Sequence, residues 1–151
     1  MVSAHTAYDL LTEDFPTPDP FATADAFVDC ASAFTTFGNH GMAFRCVVGA
    51  MAEVGRVRDD EPENGLAQAR FGMLGYAAYT SGVAGGVAAS ELVDLLEVTV
   101  RALTTGSDLD FADPDTLIEA AKALADRYEE NGRPDDAAAI RRVAEGMAEL
   151  D

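Results

Sequence analysis

The chain has 151 residues and a mass of 15.9 kDa, and sets 27 acidic residues against 10 basic ones for a formal charge of −17. That length is a single domain, able to bury about two-thirds of its unfolded surface without disulfides or metals. Its 48% hydrophobic content and mean hydropathy of +0.01 argue against disorder. So negative a field argues against direct binding of DNA or RNA phosphates and of anionic membranes.

In chain order, residues 1–21 read as an arm: a short helix over 4–12, then the rigid stretch Phe15-Pro16-Thr17-Pro18-Asp19-Pro20. Asp19 before Pro20 is a helix N-cap with proline in the first turn. From there Phe21, Ala24, Phe27, Val28, Ala31 and Phe34 recur at helical spacing, until Gly38, Asn39 and Gly41 interrupt. A second helix is predicted from Met42 to Val54, ending at Gly55, with the charged stretch 56–64 as a loop. The third, over 65–80, is apolar almost all round (Leu66, Phe71, Met73, Leu74, Tyr76, Tyr79), which places it at the centre. Gly82, Gly85 and Gly86 make the next turn. A fourth helix over 90–103 carries the stripe Leu92, Leu95, Leu96 and Leu103, with Thr99 as a polar interruption. After a loop over 104–113, Pro114 opens a fifth helix that extends to Glu130. Asn131-Gly132-Arg133-Pro134 turns the chain into a sixth, ending near Leu150.

No window alternates β-branched residues. The fold class is therefore all-α: one domain over 1–151, with three antiparallel hairpins in series at 22–57, 63–105 and 113–151 behind the arm. The hairpins form either a repeat array or a compact helical bundle. The arm either caps them or exchanges between subunits of a homo-oligomer.

The N-terminus has no cationic start and no uninterrupted apolar core, so it does not read as a secretory signal, and Arg70 with five glycines breaks the apolar stretch 66–89 as a membrane span. A cytoplasmic protein is the expectation, and two cysteines do not make a disulfide framework. Nine arginines accompany a single lysine, Lys122. Few lysines, many carboxylates and abundant alanine resemble proteins of organisms with molar internal salt, where the Debye length falls to about 3 Å. A high-GC genome favours arginine over lysine too, but does not explain the acid-to-base ratio.

The first and last hairpins share a pattern. One reads Phe27-x2-Cys30-Ala31-x2-Phe34, Gly38, Ala43-x3-Val47; the other reads Ala121-x2-Leu124-Ala125-x2-Tyr128, Gly132, Ala137-x3-Arg141. This resembles the tetratricopeptide repeat, a helix–turn–helix of about 34 residues in which small residues let two helices approach closely. Gly38 and Gly132 are 94 residues apart, and Arg141 stands where that family has an aromatic. The resemblance implies a protein-binding groove lined by the first helix of each hairpin. Carried onto this chain, its residues are Asp25, Asp29, Ser32 and Thr36 in the first hairpin and Lys122, Asp126 and Glu129 in the last. With four carboxylates against one lysine, the implied partner is a protein with a basic or amide-rich segment; the alternative is a solvated face, with Lys122 and Asp126 an ordinary i,i+4 pair.

Tests for chemistry are negative. Cys30, His40 and Cys46 fall as C-x9-H-x5-C, without the four ligands of a structural zinc site. They read as two buried cysteines and a turn histidine, or as a disulfide across the hairpin. Neither His5 nor His40 sits in an arrangement with a nucleophile, and GxSxG, HExxH and Glu-x-x-His are absent. Catalytic residues, metals and cofactors are therefore expected to be none. Arg70, the sole charge on an apolar helix, is expected to be buried against Glu91 or Asp94, with an anionic ligand as the minor reading. The leading function is a non-catalytic interaction module, an adaptor or regulatory subunit. The alternatives are an acidic inhibitor or nucleic-acid mimic, and a small helical ligand-binding protein or enzyme centred on the middle hairpin and Arg70.

Overall fold

The first long helix begins where the sequence supplies its cap. Asp19 is extended (φ −137°, ψ 97°), and its carboxylate accepts from the backbone N–H groups of Phe21 at 3.1 Å and Ala22 at 3.3 Å, with Pro20 at the first helical position. In this computed structural model, which describes Tyr8, 19–105 and 114–148, that helix is α1 (Pro20–Thr36). It is followed by α2 (His40–Asp60), α3 (Gly65–Ala84), α4 (Ala89–Thr105), α5 (Pro114–Glu130) and α6 (Pro134–Ala148). The described residues contain no strand, so the all-α, three-hairpin expectation holds. No helix among them is long and apolar enough to cross a membrane. The predicted helix over 4–12, His5, the arm to Pro18, the segment 106–113 and residues 149–151 lie outside the described residues, Tyr8 excepted. Tyr8 is helical, and its ring meets Phe27 edge-on at 6.2 Å.

One device closes all three hairpins. Gly38, Gly86 and Gly132 take φ of 75°, 75° and 73°, a left-handed conformation that costs a side chain about 1–2 kcal/mol. The residue after each glycine donates to the carbonyl five positions back: Asn39 to Phe34 at 2.8 Å, Val87 to Gly82 at 2.9 Å, and Arg133 to Tyr128 at 2.8 Å. This is the Schellman closure, which satisfies the helix's last carbonyls. The three glycines are 48 and 46 residues apart, so the hairpins recur at a nearly constant interval.

Two predicted helix ends need correction. α2 does not stop at Gly55 but runs to Asp60, so the charged stretch expected as a loop is largely helical. Gly55 is a point of close approach: a Cβ there would lie 3.3 Å from the Phe71 ring of α3. The stop comes at Glu61 (φ −131°, ψ 74°), because a residue before proline is disfavoured in helical conformation. Likewise α3 continues past Gly82, where a Cβ would meet Leu92 at 2.9 Å and Phe44 at 3.3 Å.

Each helix packs chiefly on its neighbours in sequence, and α3 also touches α5. Side chains link the alternate helices as well. Arg70 of α3 reaches Asp25 and Phe21 of α1, and Leu95 of α4 packs against the core formed mainly by α1 and α2. The helices thus lie in two layers, α1, α3 and α5 in one and α2, α4 and α6 in the other.

α3 is the shared wall, as its sequence predicted. Phe71, Leu74 and Ala77 pack against the first core, which includes Phe27, Phe34 and Val54. Met73, Tyr76 and Tyr79 pack against the second, which includes Leu96, Leu124 and Tyr128. Fully burying a side chain such as Leu96 or Leu124 contributes about 1.5–3 kcal/mol, and these two are 0% and 1% exposed. The α3–α4 seam is built differently. Gly72, Gly75 and Gly82 face Leu103, Thr99 and Leu92 in antiparallel register, each without room for a Cβ. Thr99 is fully buried, and its hydroxyl donates to the Leu95 carbonyl at 2.7 Å.

Candidate partner-binding face

The residues expected to line a groove are all exposed, and the structure divides them into two sets. Asp25, Asp29, Ser32 and Thr36 form a stripe along α1, while Lys122, Asp126 and Glu129 lie on α5. α3 stands between the two helices, so the sets do not converge on one groove.

On the α1 side, the neighbouring structure is a slot of about 170 Å³ between α1 and α3. Buried Ala24 and Val54 line it together with the flanking Asp25, Val28, Arg70, Met73 and Leu74. Arg70 corrects a prediction twice. Its side chain is 41% exposed rather than buried, and its carboxylate partner is Asp25 of α1 at 3.5 Å, not Glu91 or Asp94. The guanidinium also stacks over Phe21 at 5.0 Å. Sequence distance concealed the pair: Asp25 and Arg70 are 45 residues apart and meet only because α1 and α3 share a layer.

On the α5 side, Arg141 of α6 takes both predicted carboxylates, Glu129 at 2.5 Å and Asp126 at 3.1 Å. Its hydrogen bond, with its charge second, holds Glu129 below the usual carboxylate range. Asp126 is therefore paired across the hairpin with Arg141. Aligning Gly38 with Gly132 places Val47 opposite Arg141 and Met51 opposite Glu145. In the first hairpin those positions are buried, at 4% and 7% exposure, beside α3. In the last they line an open groove of about 450 Å³ with Lys122 and Asp126. An arginine therefore stands on an open groove at the position where the tetratricopeptide pattern has an aromatic.

A pattern invisible in the sequence concerns the other arginines. Arg58 stacks over Phe71 at 4.5 Å, Arg127 over Tyr79 at 5.8 Å and Arg133 over Tyr128 at 4.2 Å. With Arg70 over Phe21, four arginines join α2 to α3, α3 to α1, α5 to α3, and the last turn to α5. A planar guanidinium can stack and donate sideways at once, which an ammonium cannot. Arg58, for example, donates to Gln68 at 2.7 Å and Arg133 to Asp136 at 2.8 Å. Tyr128 in turn donates its hydroxyl to Glu97 at 2.8 Å, and burial, then that carboxylate, pushes its pKa up to about 12.

Cys30 and Cys46 are buried and unbonded. Burial, with Cys30 as a lesser influence, pushes the Cys46 thiol up to about 11, which suppresses the nucleophilic thiolate. Among the described residues, no three His, Cys, Asp or Glu side chains come together to hold a metal ion. No family model, curated protein or solved structure matches the chain.

Proposed function

We propose that the chain is a non-catalytic interaction module, an adaptor or regulatory subunit that holds another protein on the layer formed by α1, α3 and α5. The observation that carries this reading is the serial packing: each hairpin leans on the next, and α1 keeps a full exposed stripe (Asp25, Asp29, Ser32, Thr36) beside an open slot. The resemblance to tetratricopeptide repeats points the same way, although the interval of 48 and 46 residues between turns is longer than the about 34 of that family. We take the acidity as adaptation to a high-salt cytoplasm, in which the partner must bind without help from long-range attraction.

Capture of the tagged protein from its native lysate in 2 M KCl tests this, with a parallel capture by an Asp29→Arg/Thr36→Arg variant. A stoichiometric partner retained by the native chain and lost by the variant is the expected result. Absence of a partner in either capture overturns the reading. A partner that binds only below about 0.2 M salt instead fits an acidic inhibitor or phosphate mimic, whose affinity falls steeply with ionic strength.

A further inference from the structure

We infer that the slot between α1 and α3 is the anchor point of this face, seating one aliphatic side chain of a basic amphipathic segment of the partner. The inference rests on the interaction reading above and adds the place and the chemistry. The slot's volume, about 170 Å³, falls below the about 300–1,000 Å³ of small-molecule sites, yet suits a single side chain. Its base is apolar and closed, with Ala24 and Val54 at 2% and 0% exposure. Its walls are Met73 and Leu74 on α3 and Val28 on α1, the last among four large hydrophobics exposed within the described residues. An apolar pocket ringed by polar groups is the form taken by the few interface positions that carry most binding energy.

The charge around the slot selects the occupant. Within its 17 residues α1 carries Asp25 and Asp29 and no basic side chain. Asp29 is exposed one turn beyond Asp25. Arg70 pairs with Asp25, but at 3.5 Å and with side chains 41% and 70% exposed, so the pair adds little to stability and yields to a competing cation. Arg70 stays in place regardless, because its guanidinium rests on Phe21. A segment whose aliphatic residue enters the slot while flanking lysines or arginines reach Asp25 and Asp29 satisfies both features. An acidic segment meets two carboxylates on the same wall.

The probe is a fluorescein-labelled amphipathic peptide of about 15 residues, near the shortest length at which an isolated helix holds. It carries a leucine stripe with lysine at the polar positions, and a second peptide replaces every lysine by glutamate. Binding to the full chain is read by anisotropy in 0.15 M and 1 M KCl and located by amide and methyl NMR shifts. The lysine peptide is expected to bind at both salt concentrations and to shift Val28, Met73 and Leu74. Val28→Ser is expected to weaken it roughly tenfold at 1 M KCl, where the general field is screened. Asp29→Asn should weaken it at 0.15 M, while Asp94→Asn on α4, an equal charge change elsewhere, leaves it unchanged. Equal binding of the glutamate peptide overturns the chemistry. Shifts confined to the α2–α4 side overturn the place, and binding abolished at 1 M KCl with no effect of Val28→Ser marks field attraction and overturns the anchor. Any of these outcomes beside a partner captured from lysate sinks the anchor alone, whereas failure of the capture sinks the interaction reading itself.

Discussion

Thr99 shows how one side chain sets the distance between two helices. Fully buried, it satisfies its own hydroxyl on the Leu95 carbonyl and so needs no partner from α3, only the absence of a Cβ at Gly75. A methyl at Gly75 meets the Thr99 hydroxyl at an impossible distance, so Gly75→Ala is expected to cost about 1–3 kcal/mol in urea unfolding despite alanine's better helix propensity. Gly75→Ala/Thr99→Ala should recover part of that loss, and additive losses would remove the steric account. Tyr128 makes a prediction in pH. Its folded pKa of about 12 lies above the ordinary tyrosine value of 10.0, so the folded state holds the phenolic proton more tightly than the unfolded chain. The resulting stability is complete below pH 10 and is lost as pH rises from 10 to about 12. Tyr128→Phe should flatten the decline in melting temperature across that window. Cys46, at about 11 against an ordinary 9.0, should react with a disulfide reagent at pH 8 roughly a hundredfold more slowly than an exposed cysteine, and become reactive in urea.

At the scale of elements, glycine has two opposite uses here. Gly38 and Gly132 hold positive φ, and a Cβ at either would meet nothing within 4 Å, so their role is backbone conformation alone. Gly38→Ala is expected to cost about 1–2 kcal/mol. Gly146 also has open space around it but lies within α6 at ordinary φ, so Gly146→Ala should stabilise by about 0.5–1 kcal/mol. Chemical denaturation of the two variants side by side checks the contrast. Gly55 and Gly82 show the other use, mid-helix and pressed by Phe71, Leu92 and Phe44. A single sequence does not separate these uses, which is why α2 and α3 run past the glycines expected to end them.

For the whole molecule, charge and packing pull against each other. A formal charge of −17 repels itself across a Debye length of about 30 Å at 10 mM salt, but of about 3 Å at 1 M. Helical circular dichroism is therefore expected to fall, and the melting temperature to drop, on dialysis from 2 M KCl to 10 mM. A full helical signal with unchanged melting at 10 mM removes the salt-adapted reading. The stacked arginines resist the same stress through contacts that salt screens less than surface ion pairs, so replacing Arg58, Arg70, Arg127 and Arg133 by lysine should lower stability even in 2 M KCl.

The sequence alone determined what depends on local conformation. It placed the Asp19 cap, the turns at Gly38, Gly86 and Gly132, the start of α5 at Pro114 and the central position of α3, because caps, proline, positive-φ glycine and apolar periodicity act within a few residues of themselves. Tertiary structure decided everything that required knowing how the helices pack on one another. It gave Arg70 to Asp25, gave Asp126 and Glu129 to Arg141, and set the position matching Val47 on an open groove. It also separated the predicted binding residues into two sets, on α1 and on α5, with α3 between them. Such pairs join residues 12 to 45 positions apart, and their partners are chosen by how helices cross rather than by spacing along the chain.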